Sequence, residues 1–238
     1  MDRQQIDAFD NAQLSNPDSP LVADGPAPFL MDAAAFSTQP SLYLRWVKPA
    51  LDRILSLVAL LVVSPLLVGI SLAIIGFMGW PALIRQQRVG RCGKVFALYK
   101  FRTMTPDRRQ MQMEYLGDDR RRVHKSPNDP RITPIGRFLR ASHLDELPQF
   151  VNVLVGDISL VGPRPELVEI VAKYEAWQHR RHAVKPGITG IWQVSDRGDQ
   201  LLFECTEYEL QYLEKITLWA DFKIMLQTIP AMARRSGI

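Results

Sequence analysis

Between Arg53 and Arg85 lie 31 consecutive residues without a formal charge, ILSLVALLVVSPLLVGISLAIIGFMGWPALI. About 20 apolar residues suffice for a helix to cross the hydrocarbon core of a bilayer, so this run is longer than one span requires. That length does not suit a soluble core helix, and the segment is expected in lipid. Ser64-Pro65 falls inside it, where proline removes a backbone donor and kinks a helix. The Ser64 hydroxyl is placed to bond a carbonyl that the proline frees, which makes a break tolerable in lipid. Both flanks are basic, with Arg45, Lys48 and Arg53 before the run and Arg85, Arg88, Arg91 and Lys94 after it. A simple span would expose one of these clusters outside the cell, against the positive-inside tendency. A helix that enters, breaks at Ser64-Pro65 and returns would keep both inside. At the level of the residues alone, span and re-entrant hairpin both stay open.

The rest of the 238 residues suits one good-sized domain. Residues 1–40 contain SNPDSP, DGPAP and STQP and show no apolar periodicity, so they read as a mobile extension. Without a basic start and apolar core, that extension is no signal peptide. Two cysteines, Cys92 and Cys205, make neither a disulfide framework nor a metal-type spacing. The formal charge of +4 is unevenly spread: residues 85–140 carry fifteen Lys/Arg against five Asp/Glu, while the segments on either side are each net negative. A basic block directly after an apolar segment implies an anionic partner, whether lipid headgroup, phosphorylated substrate or nucleic acid.

Val95–Met104 reads as a strand, and residues 105–130 as a mobile, charged excursion. Helices are expected over Asp145–Val155, Pro165–Arg181 and Phe203–Ile216, with a short strand at Ile191–Ser195. A final helix from about Thr217 places Leu218, Phe222, Met225, Leu226 and Ile229 on one face, to pack or to lie at the membrane interface.

Asp145 and Glu146 stand side by side just before Pro148. Proline is tolerated only in a first helical turn, so both acids sit at a helix amino terminus. In the simplest reading they cap that helix. Their surroundings add another: Arg137 and Arg140 precede them, Arg164 follows in GPRP, and arginine grips phosphoryl oxygens with a bidentate fork. Adjacent carboxylates can divide the work, one attacking phosphorus and the other holding a divalent cation. Nearby cations are expected to keep Asp145 ionised.

KFRTM, LDELPQFVNVLVGDISLVGPRP and PGITGIWQV occur in this order. From about Arg45 to the end, the chain closely resembles the bacterial sugar transferases, the monotopic polyprenol-phosphate phosphoglycosyl transferases. Against larger members it reads as a short form without their amino-terminal multi-span region. The resemblance implies an α/β, mostly helical fold. Residues 41–84 would form a re-entrant helix broken at Ser64-Pro65, anchored by Lys48 and Arg53. Residues 85–238 would form a small cytosolic catalytic domain with few short strands and interfacial C-terminal helices.

It also implies the activity: transfer of a sugar 1-phosphate from a UDP-sugar to polyprenol (undecaprenyl) phosphate, releasing UMP, as the first membrane step of polysaccharide or glycoconjugate synthesis. Asp145 matches the nucleophile that forms a phosphosugar-aspartate, and Glu146 a Mg²⁺ ligand. Arg140, Arg164, Lys100, Arg102, Pro163, Gln193 and Arg197 match phosphate- or nucleotide-binding positions, and Thr189 a residue shaping that pocket. The implied setting is the cytoplasmic face of the bacterial inner membrane, among its phospholipids, with no nucleic-acid partner and with association into a homodimer. Two departures stand out: His143 replaces the usual serine or threonine before Leu-Asp-Glu, and Asp196 replaces a glycine, which weakens the match at Arg197. A basic lipid- or nucleic-acid-binding module and a membrane phosphohydrolase are the competing classes.

Overall fold

The uncharged run folds as a helix. In the computed structural model, which describes residues 41–105, 131–195, 202 and 205–234, a π-helical turn at Tyr43–Val47 leads into α1, Lys48–Met78. At 1.5 Å per residue its 31 residues extend for about 46 Å. Among the described residues it is the one helix long and apolar enough to cross a membrane. Pro65 lies inside it and does not end it. The reason is local: the Leu61 carbonyl, which an N–H at position 65 would have satisfied, accepts a hydrogen bond from Ser64 Oγ at 2.9 Å. The bond foreseen from the sequence forms, within one continuous helix.

Both ends of α1 dock on the same body. At the start, Asp52 accepts from Ser159 Oγ at 2.7 Å and from the Leu160 N–H at 3.2 Å, and Lys48 pairs with Asp221. At the end, Ile70 and Ile74 pack with Ala82, Phe101 and Leu139. Between them Leu57, Val58, Leu61, Val62, Leu66 and Val68 are exposed. Gly79 ends the helix with φ 74°, a left-handed conformation suited to glycine.

Strands β1 (Leu83–Val89) and β2 (Val95–Phe101) form an antiparallel hairpin, and β1 also pairs with β4 (Glu166–Leu167). A separate parallel pair joins β3 (Ser159–Val161) to β5 (Gly187–Thr189). Here the backbones come so close that a Cβ on Gly187 would stand 2.1 Å from the Gly162 nitrogen. The helices are α2 (Pro134–Ala141), α3 (Gln149–Val155), α4 (Val168–Val171), α5 (Ile191–Val194), α6 (Thr206–Glu214) and α7 (Leu218–Arg234). Short strands among many helices match the expected class.

β2 is an edge strand, and α3 satisfies it in place of a neighbour. The fully buried Asn152 accepts from the Tyr99 N–H at 3.0 Å and donates to the Ala97 carbonyl at 2.8 Å. This fixes α3, and the acid pair ahead of it, against the strand that carries Lys100.

Two elements differ from expectation. The helix expected over Pro165–Arg181 is instead β4, α4 and a 3-10 stretch, Ala176–Ala183. The free edge of β1 claims Glu166 and Leu167, and Arg88 binds the Pro165 carbonyl at 3.1 Å, so a sheet contact overrides helical propensity. The strand expected at Ile191–Ser195 is the one-turn helix α5, because β3 already pairs with Gly187–Thr189 and Trp192 is buried by the turn. On α7, Leu218, Phe222, Leu226 and Ile229 face outward, while Met225 packs inward with Tyr212 and Ile224. Residues 1–40, most of the 105–130 excursion and Arg197 lie outside the described residues.

Candidate active site

α2 is capped by Thr133, whose hydroxyl accepts from the Gly136 N–H at 3.0 Å. Gly136 lies so close to β2's continuation that a Cβ there would stand 1.9 Å from the Thr103 carbonyl oxygen. This close approach carries α2 up to Arg140 in its last turn. His143 then takes φ 56°, left-handed, and reverses the chain into the 3-10 turn Leu144–Glu146. Pro148 caps α3 as the sequence predicts, and the two acids sit in the turn immediately before it. The His143 carbonyl accepts from the Glu146 N–H at 3.2 Å, which tightens this turn.

The two carboxylates are neighbours in sequence but not in circumstance. Glu146 Oε1 accepts from Lys100 Nζ and from Arg164 Nη2, each at 2.8 Å. Lys100 reaches it because it shares the inward face of β2 with Phe96 and Leu98. Burial alone would raise the Glu146 pKa, but the Arg164 guanidinium and the Lys100 ammonium hold it well below the usual carboxylate range. Asp145 is buried and makes no hydrogen bond among the described residues; its nearest cation is Lys100, 3.9 Å away. Burial pushes its pKa up, against the pull of Lys100, Arg140 and Arg164. Nearby cations, expected to keep Asp145 ionised, are outweighed by burial in the direction of its pKa, and they spend their hydrogen bonds on Glu146. One acid is firmly ionised and held by two hydrogen bonds; the other is poorly solvated and, among the described residues, has only the longer ion pair to Lys100.

Arg164 is itself fixed from behind. Its N–H donates to Glu209 at 2.6 Å, and its carbonyl accepts from Arg181. Arg181 and Glu209, both almost fully buried, pair at 2.5 Å. Pro163 contributes its carbonyl to the Gly187 N–H at 2.8 Å, and Pro165 its carbonyl to Arg88. The GPRP turn is thus pinned at three successive residues, which keeps the Arg164 side chain on Glu146. Glu209, Arg181 and Asn152 carry no sequence signal of this role; each partner is far along the chain, and only an unusually buried polar residue betrays them.

Other predicted positions fall elsewhere. Arg102 does not join the acids: it donates to the carbonyls of Met78, Gly79 and Trp80, sealing the C-terminal end of α1, where a cation complements the helix dipole. Lys48, expected to anchor the membrane helix at its mouth, is 7% exposed and paired with Asp221, so it fastens α1 to α7. Arg53 remains exposed. Arg140 is half-buried beside Asp145 and Arg137 is exposed. Gln193 donates to the Ile188 carbonyl at 2.9 Å, and Thr189 bonds Thr228 of α7 at 2.7 Å, so both brace the β5–α5 corner.

For a Mg²⁺ ion the donor set is suitable. Glu146 Oε1 is taken by two cations, but Oε2 and the unbonded Asp145 carboxylate are hard oxygen donors, and Mg²⁺ commonly adds waters and substrate phosphates to one or two carboxylates.

The chain is 44% identical over 162 residues to "Galactosyl transferase CpsE" of Streptococcus agalactiae, covering 67% of this chain and 36% of that protein. It is 39% identical over 199 residues to "Undecaprenyl-phosphate galactose phosphotransferase" of Salmonella typhimurium, covering 81% and 42%. With "Exopolysaccharide production protein ExoY" of Rhizobium meliloti it shares 34% over 197 residues, 80% of this chain and 87% of the other. The chain thus spans less than half the length of the first two relatives. A family model described as bacterial sugar transferase matches residues 43–235, which takes in α1, the acid pair and its pinned arginine together: the chain belongs to the bacterial sugar transferase family.

Proposed function

We propose that this protein transfers a sugar 1-phosphate from a UDP-sugar to polyprenol phosphate in two displacements at Asp145. The observation that carries this reading is a buried carboxylate without a hydrogen bond among the described residues, set beside one that two cations hold ionised. An Asp145 oxygen attacks the sugar-bearing β-phosphorus. The bond from that phosphorus to the oxygen bridging it to the α-phosphate breaks, and UMP leaves with the electron pair. Poor solvation makes the attacking carboxylate costly in the resting state and favours its consumption. Arg140, beside Asp145, is placed to spread phosphoryl charge. Mg²⁺, held through Glu146 and Asp145 oxygens, would supply charge neutralisation on the diphosphate. In the second step a polyprenol phosphate oxygen attacks the same phosphorus, the aspartyl–phosphate bond breaks, and the lipid diphosphate-sugar is released.

The lipid acceptor requires the site to lie at membrane level. Docking of both ends of α1 on one body, with an exposed apolar middle, supports entry and return on a single side, which in a bacterium would be the cytoplasmic face. The relatives named for undecaprenyl phosphate support the acceptor class.

The test is UMP release by detergent-purified protein with Mg²⁺ and a panel of UDP-sugars, with and without undecaprenyl phosphate. Without lipid, at most one UMP per protein and a mass gain of one hexose phosphate on Asp145 are expected; with lipid, turnover. Continuous UMP release without lipid would make the protein a hydrolase, and release by Asp145→Asn would remove Asp145 as the nucleophile.

A further inference from the structure

A second cationic cluster lies at the other end of the hairpin. A cleft of about 350 Å³ opens between Arg91, Cys92 and Lys94 of the β1–β2 turn, Gly156 and Asp157 after α3, and Lys185. Arg53 of α1 reaches the same place: a methyl on Gly156 would stand 3.3 Å from both its guanidinium and the Lys185 ammonium. From Lys94 to Lys100, β2 rises about 3.3 Å per residue, so the cleft is about 20 Å from the acid pair.

Four cations gather here near two carboxylates that are already engaged: Asp157 accepts from Asn152 Nδ2 at 3.2 Å, and Asp52, which acts on Lys185 from further off, holds Ser159 and Leu160. None of the four has an ion-pair partner within 4 Å among the described residues. The carboxyl end of α3 contributes only about half a negative charge. The crowding is felt: burial, then the charges of Arg53 and Arg91, push the Lys185 pKa down. Directly beyond Arg53 the exposed apolar face of α1 begins with Ile54, Leu55, Leu57 and Val58. With α1 in lipid from Ile54 onward, the cleft would sit at the depth of headgroup phosphates.

We propose that this cleft is a phosphate-binding site, separate from the acid pair, in which Arg53, Arg91, Lys94 and Lys185 hold the phosphate of an anionic membrane lipid or a free phosphate. Arginine and lysine from three separate elements surround one anion, so its occupation ties the hairpin turn, the start of α1 and the loop before β5 together at the membrane surface. The cleft uses neither Asp145 nor Glu146, and it stands whether or not the transferase reading does.

Cys92 lines the cleft and is exposed, whereas Cys205 is buried, so thiol modification reports on this site. Full-length protein in neutral detergent is treated with 5,5′-dithiobis(2-nitrobenzoate). The additions are inorganic phosphate, phosphatidylglycerol or phosphatidylcholine, at equal ionic strength, with Cys92→Ser as the blank. At about four times its Kd an occupant leaves about one-fifth of the rate. Protection by phosphatidylglycerol but not phosphatidylcholine assigns a lipid phosphate; protection by inorganic phosphate assigns a free one. In both cases Arg91→Ala/Lys94→Ala, exposed turn substitutions, should abolish protection, and Asp145→Asn should retain it. Equal rates in every addition, or protection undiminished in the double variant, would overturn the proposal.

Discussion

Asp145→Asn and Glu146→Gln, one residue apart, should move stability in opposite directions. Asp145 makes no hydrogen bond among the described residues, and burial raises its pKa, so its ionised form is a cost to the fold. The amide removes that charge and gives up only the 3.9 Å ion pair with Lys100, a net gain on the order of 1 kcal/mol, as when a site kept for function is relieved. Glu146 takes two charge-assisted hydrogen bonds, from Lys100 and Arg164, whose side chains are 14% and 26% exposed. Each such bond contributes about 1.5–3 kcal/mol, and glutamine keeps one neutral acceptor, so the loss is about 3 kcal/mol. For a chain of this size, 1 kcal/mol moves the unfolding midpoint by about 2–4 °C. Tryptophan-fluorescence melting in one detergent at pH 7 should show Asp145→Asn up by about 2–4 °C and Glu146→Gln down by about 6–12 °C. Both should lose activity. The pH dependence has a fixed sign. Glu146, held below its ordinary 4.5, contributes fully above that value, and its contribution fades as pH falls through the folded pKa. The Asp145→Asn gain is full above the raised folded pKa and vanishes towards 3.8 and below. Marked destabilisation by Asp145→Asn, or a neutral Glu146→Gln, would refute the division of roles between the acids.

Two further outcomes follow from how α1 is held. Asp221 receives Lys48 and the hydroxyls of Tyr43 and Tyr212, so Asp221→Ala strands a buried ammonium and should cost about 3–5 kcal/mol, while Lys48→Met/Asp221→Leu recovers most of that in the same melting assay. In a Cys92→Ser background, added cysteines at Ser41 and Arg85, exposed positions on either side of α1, should react with an impermeant maleimide from the same side of sealed vesicles; labelling from opposite sides would establish a span instead.

Local chemistry was legible in the sequence. The apolar run announced α1 by its length alone, Pro148 placed Asp145 and Glu146 ahead of a helix, and the Ser64 hydroxyl found the carbonyl that Pro65 frees, because each depends on residues within a turn of one another. The motif order also identified the family, and with it the acids, Lys100 and Arg164. What a charged side chain finally touches was decided by tertiary structure. Lys48 and Arg102 read as a membrane anchor and a phosphate contact, yet one meets Asp221, 173 positions away, and the other the carbonyls that end α1. The helix expected at 165–181 gave way to an open sheet edge on β1. Arg181 and Glu209, which hold Arg164 on Glu146, are inconspicuous along the chain because an ion pair is specified by where two distant backbones meet, and burial then makes that meeting obligatory.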